Sequence, residues 1–141
     1  MGFDKFYRKA KGKKAQFDET INWLVGNLAA VDTAGGVYAI ANPLGANVLI
    51  DMVILDITTA STAACTIDAG CAAANATTSN DNLIDGLDVH SATGQFQTIS
   101  NGGTNGLPVR KWASDKYFTI SKASGATAGL VGKVYIRYRK A

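Results

Sequence analysis

Asn47-Val48-Leu49-Ile50-Asp51-Met52-Val53-Ile54-Leu55-Asp56-Ile57-Thr58-Thr59 is the stretch on which the fold turns. Val48, Ile50, Met52, Ile54 and Asp56 alternate with Leu49, Asp51, Val53, Leu55 and Ile57. Apolar side chains therefore lie on both faces over most of its length, the pattern of a central strand covered on both sides. Upstream, Gly35-Gly36 introduces Val37-Tyr38-Ala39-Ile40, and Asn42-Pro43-Leu44-Gly45 makes a turn into the quoted strand. Downstream, Ala64 to Gly70 reads as a further strand with Cys65, Ile67 and Ala69 on one face.

The same punctuation continues to the C-terminus. Residues 72–82 (AAANATTSNDN) are small and polar, a loop or an irregular edge. Leu83 to Val89 is apolar around a turn signal at Asp85-Gly86, and residues 101–106 (NGGTNG) form another turn or long loop. Trp112 precedes the strand Tyr117 to Ser121, and Ser124-Gly125-Ala126 turns the chain into a last strand, Gly129 to Arg139. There Val131, Lys133, Tyr135, Arg137 and Arg139 share one face, against Leu130, Val134, Ile136 and Tyr138 on the other. Six to eight short strands spaced roughly ten residues apart indicate an all-β protein, an antiparallel β-sandwich or barrel, with a jelly roll as the expected member.

Composition agrees. With 141 residues the chain suits one domain, and 15 Gly, 2 Pro and a charged fraction of 18% do not suit a helical bundle. Only residues 17–29 carry a helical pattern: Phe17, Ile21, Leu24, Val25 and Leu28 fall on one helix face, with Asp18 as a cap and Trp23 off the stripe. The expected organisation is a basic arm over 1–16, a short helix or extended connector over 17–34, and a β-sandwich domain over 35–141.

The formal charge of +3 conceals a polarised molecule. Residues 1–16 hold Lys5, Arg8, Lys9, Lys11, Lys13 and Lys14 against Asp4, and residues 133–141 hold Lys133, Arg137, Arg139 and Lys140 with no acid. The residues between are therefore net acidic, an asymmetry that points to a charged partner. Phe3, Phe6 and Tyr7 add apolar anchors to the arm. Three readings of the arm stand together: phosphate neutralisation and stacking on nucleic acid, a solubilising tail, and docking on an acidic protein surface. No apolar run reaches the length of a membrane span, and none follows the basic N-terminus as a secretory signal requires. A chain used without membrane or signal-peptide export is expected.

Catalytic signatures are sparse. His90 is the one histidine, no serine lies in a G-x-S-x-G elbow, and the glycines match neither phosphate-cradling pattern. Cys65 and Cys71 would lie about 20 Å apart on a straight strand, too far to bridge. Asp81, Asp85, Asp88 and His90 cluster in residues 81–90, but their spacing is not that of a calcium loop, and turn aspartates capping local donors are the expectation. Trp112 with Asp115 and Tyr117 is the one candidate sugar platform. No enzyme, no cofactor and no metal site is expected.

Two stretches carry a resemblance. Asn82 to Val89 (NLIDGLDV), running on to Ala92-Thr93-Gly94, and the ending Ala123 to Tyr138 (ASGATAGLVGKVYIRY) are similar to segments of small virion proteins of tailed bacteriophages. The stretches Trp112 to Thr119 and Asn47 to Thr59 fit the same layout, so the resemblance covers roughly residues 35–140 and not the arm. It implies a capsid decoration (cement) protein or related head-associated component, with no catalytic residues. It further implies the major capsid protein as partner, homo-oligomers with trimers favoured, and residence on the capsid surface after synthesis in the host cytoplasm. The arm residues Phe3, Lys5, Phe6, Tyr7, Arg8, Lys9, Lys11, Lys13 and Lys14 are the expected partner-binding set, and a receptor- or carbohydrate-binding fibre or spike domain is the alternative.

Overall fold

The computed structural model describes residues 21–75 and 78–141. Nine strands carry these residues: β1 (Asn22–Ala29), β2 (Gly36–Ala41), β3 (Val48–Thr59), β4 (Cys65–Ala72), β5 (Ile84–Asp88), β6 (Gly94–Gln97), β7 (Arg110–Trp112), β8 (Tyr117–Gly125) and β9 (Val131–Lys140). A four-residue helix, α1 (Thr98–Asn101), follows β6. The larger sheet runs β1-β9-β3-β6, with β7 also paired to β3, and the smaller runs β2-β8-β4-β5. Every pairing is antiparallel. The chain is an all-β antiparallel sandwich, and its first four strands alternate between the two sheets.

The quoted strand is central, but it is not covered on both sides. Val48 and Ile50 are buried, then Val53, Leu55 and Ile57. The change of phase comes at a bulge: Ile50 faces Tyr138 while Met52 faces Arg137, so Asp51 is an extra residue in β3. One continuous face thus enters the core, although the sequence changes from even to odd numbers halfway along. Leu49, Asp51, Met52, Ile54 and Asp56 stay half-buried.

Of the two expectations for 17–34, the short helix is overturned where the structure describes it, and residues 22–29 are extended. Asn22–Ala29 is an edge strand paired along its length with β9. Leu24 and Leu28 pack toward the core, whereas Ile21 and Val25 are exposed, so the apparent helical stripe divides between two strand faces. Gly26 is the inward position between the leucines. A Cβ there would run into the Tyr38 ring, which fills the space instead. The sandwich therefore includes β1, before residue 35.

Between the sheets lie Leu55, Ile57, Ile67, Phe118, Ile120, Val134 and Ile136, all at 0–1% exposure. Each such side chain contributes about 1.5–3 kcal/mol by leaving water. Trp112 is fully buried with them, edge-on to Phe118 at 6.3 Å between ring centroids, and its Nε1 donates to the Lys116 carbonyl at 3.0 Å. The smaller sheet has a covered outer face as well. Asp68 is buried there, accepting from the Ser79 hydroxyl at 2.6 Å and from the Gly86 amide at 2.9 Å, and Thr119 donates to the Thr78 carbonyl at 2.8 Å. Asp85-Gly86 is consequently no hairpin turn. It lies within β5 as a bulge opposite Asp68, with Gly86 at φ +68°. With one outer face covered by the segment after β4, the outer face left open among the described residues is that of the larger sheet.

Candidate functional site

The outer face of the larger sheet is built from residues that the strand registers place in rows. One row is Trp23, Arg137 and Met52, running across β1, β9 and β3; the next is Val25, Tyr135, Ile54 and Gln97. A third holds Asn27, Lys133, Asp56 and Gln95, and Leu49, Arg139 and Lys111 extend the face toward β7. Trp23 and Val25 are 46% and 57% exposed; Ile21, just before β1, and Val131, beyond the polar third row, are exposed at 55% and 48% toward the two ends of this edge. Trp23, Ile54, Gln95 and Tyr135 surround a shallow hollow.

Asp51, the bulge residue of β3, organises the charged part of this face. Its carboxylate accepts from Arg137 Nε at 2.6 Å and lies 3.7 Å from Arg139 Nε. Arg137 in turn stands with its Cζ 5.9 Å from the centroid of the Trp23 ring, a cation–π distance. A carboxylate, a guanidinium and an indole are thus held in series across three strands. Lys111, Lys133, Arg137 and Arg139 set four cations on this face against the carboxylates of Asp51 and Asp56. The arrangement offers aromatic and aliphatic area rimmed by positive charge, with one arginine already held in place.

The alternation of β9 pointed to Lys133, Tyr135, Arg137 and Arg139 on one side, and the structure brings them together there. Trp23 and Val25 were missed because the expected organisation sets residues 17–34 outside the sandwich as a short helix or extended connector; the position of Trp23 off the helical stripe was the signal for the extended alternative. Phe3, Lys5, Phe6, Tyr7, Arg8, Lys9, Lys11, Lys13 and Lys14 lie outside the described residues.

Other candidate sites take structural roles. Trp112 is sealed in the core, so the proposed sugar platform with Asp115 and Tyr117 has no exposed indole face. The Asp88 carboxylate accepts from the His90 and Ser91 amides at 2.8 and 3.0 Å, and these bonds, those to Ser91 first, hold it below the usual aspartate range. Asp85 accepts from the Asn105 amide at 3.1 Å and Asp81 from the Asn105 side chain at 2.8 Å. Among the described residues no group of three or more His, Cys, Asp or Glu is gathered as a metal site would require.

Cys65, Asp88 and His90 do line one hollow at the end of the sandwich, where a thiol, an imidazole and a carboxylate invite comparison with a nucleophilic triad. Its geometry does not activate the thiol. Cys65 is buried, its pKa is raised chiefly by that burial, and its sulfur lies 3.6 Å from the Thr66 carbonyl. His90 Nδ1 is engaged by the Ser61 carbonyl at 2.8 Å. A catalytic thiol needs the opposite environment, one that favours thiolate beside a free base. Both cysteines are free, and Cys71 is pushed up to about 12 by burial.

No helix among the described residues is long and apolar enough to cross a membrane. The chain matches no protein-family model, no curated protein and no solved structure.

Proposed function

We propose that this chain is a non-enzymatic structural protein of a tailed-bacteriophage virion, a decoration protein that binds the major capsid protein and stabilises the head. The observation that carries this reading is the aromatic and basic outer face of the larger sheet, on a chain whose first sixteen residues are also basic and aromatic in sequence. Residues 1–16 precede β1 in sequence, and β1 is the edge of the sheet whose outer face, among the described residues, is open, aromatic and rimmed by cations. A rigid sandwich with such a face suits a protein that sits on a preassembled lattice, where many copies act together and each needs only modest affinity. The sandwich is read as a jelly roll on its strand order: β1-β9-β3-β6 against β2-β8-β4-β5, with the short β7 as an addition beside β3. That architecture is common among capsid components. The similarity of residues 82–94 and 123–138 to small phage virion proteins supports the same assignment, with a homo-oligomer, trimers favoured, as the form on the head.

Sedimentation tests it. Purified protein mixed with heads of the phage that encodes it, stripped of their own copy, is expected to pellet with them and to saturate at a fixed number per head. A chain beginning at residue 17 is expected to keep its melting transition and to lose most of that binding. Failure of the full chain to pellet with heads would sink the assignment.

A further inference from the structure

Among the described residues, four of the nine large apolar side chains that stand exposed, Ile21, Trp23, Val25 and Val131, belong to β1, β9 and the residue leading into β1. The other five, Val31, Leu44, Ile99, Leu107 and Val109, lie in connections or in α1. Exposed apolar area gathered on one sheet face marks a contact surface, whereas single exposed residues in loops mark nothing.

Charge decides between occupants. The face carries Lys111, Lys133, Arg137 and Arg139 against Asp51 and Asp56, and Asp51 is already engaged by Arg137 and Arg139 of its own chain. A second copy packed face to face would bring these cations against their own kind. The chain's own arm, with six cations and one acid over residues 1–16, has the same sign and is repelled likewise. An acidic surface with an apolar centre is complementary in both respects. Trp23 and Tyr135 offer faces on which bases can stack, but Val25, Met52 and Ile54 beside them are aliphatic and fit the apolar side chains of a protein rather than bases.

We propose that the rows Trp23–Arg137–Met52 and Val25–Tyr135–Ile54 are the hot spot by which the body of this protein docks on an acidic, apolar-centred patch of a protein lattice. The inference rests on the capsid reading and names the surface that meets the capsid. Trp and Arg are the residues that most often dominate such contacts, and Asp51 fixes Arg137 before the partner arrives, so less freedom is lost on binding. The arm and the face then act as two linked sites, with the arm adding local concentration.

The same head-sedimentation assay tests this on the full chain. Trp23→Ala and Tyr135→Ala are each expected to weaken binding by roughly tenfold or more. Trp23→Phe is expected to restore most of it, and Leu44→Ala, on a loop away from this face, to leave it unchanged. All four are expected to keep the parent melting transition within a few degrees. Added salt is expected to weaken the parent. If the parent binds heads and both alanine variants bind as well as the parent, the face inference is wrong while the capsid reading stands. If the parent itself fails to bind, the capsid reading falls and takes the inference with it. Light scattering that shows an oligomer dissolved by Trp23→Ala would put a second copy on the face. A gel shift with single-stranded oligonucleotides abolished by the same change would put nucleic acid there. Either result overturns the proposal.

Discussion

Gly26 and Cys71 show how single positions were decided by neighbours distant in sequence. Glycine is unfavourable inside a helix or a strand, yet at Gly26 the lack of a side chain makes room for the Tyr38 ring from the opposite sheet. No local pattern reveals that contact, because the two residues belong to different strands of different sheets. Cys71, by contrast, carries a measurable consequence. Burial pushes its thiol up to about 12, so the folded chain keeps a proton that the unfolded chain releases near the ordinary thiol value. The folded pKa is the higher one, so the stabilisation is fully present below about pH 8.5 and is lost as pH climbs toward the folded value. The urea midpoint of the parent is therefore expected to fall more between about pH 7 and pH 10 than that of Cys71→Ala. Equal falls in the two proteins would contradict the burial of this thiol. In native protein both cysteines are expected to react slowly with a thiol reagent and to become reactive on unfolding.

At the scale of elements, the strands most visible in the sequence were those with a clean two-residue period. The expected spans Asn47–Thr59, Ala64–Gly70 and Gly129–Arg139 lie within one or two residues of β3, β4 and β9. What misled was interrupted periodicity. The bulge at Asp51 puts buried residues on even positions and then on odd ones, which in sequence looks like a strand apolar on both faces. The alternating exposure of β1 coincided with helical spacing at Ile21, Leu24, Val25 and Leu28, and the period of two prevailed because β9 offers it a ladder of backbone hydrogen bonds. The short β6 and β7 had no signal of their own; they exist because the two stretches pair in succession along β3. The bulge leads to a sharp contrast between neighbours. Leu55→Lys would bury an ammonium in the core and is expected to prevent folding, while Ile54→Lys, on the open face, is expected to cost about 1 kcal/mol or less. Circular dichroism and urea titration of the two variants check this; equal collapse of both would mean that the outer face is covered.

At the scale of the whole molecule, the described residues close the outer face of one sheet with the segment after β4 and leave on the other an aromatic and basic face whose edge strand, β1, follows the arm in sequence. Half of that face was legible in advance, since the alternation of β9 gathers Lys133, Tyr135, Arg137 and Arg139. The other half required knowing that β1 is a strand and that it lies next to β9 rather than next to β2, which is a matter of topology. The asymmetry of the two faces gives the capsid proposal its geometry: the larger sheet against the lattice, the smaller sheet toward solvent. A cryo-electron-microscopy map of heads carrying the protein tests this most directly. The expected result is density for the nine-stranded sandwich on the outside of the head, with Trp23 and Tyr135 of the β1-β9-β3 face against the major capsid protein. Heads bare of such density, or density that meets the shell through the smaller sheet, would contradict it.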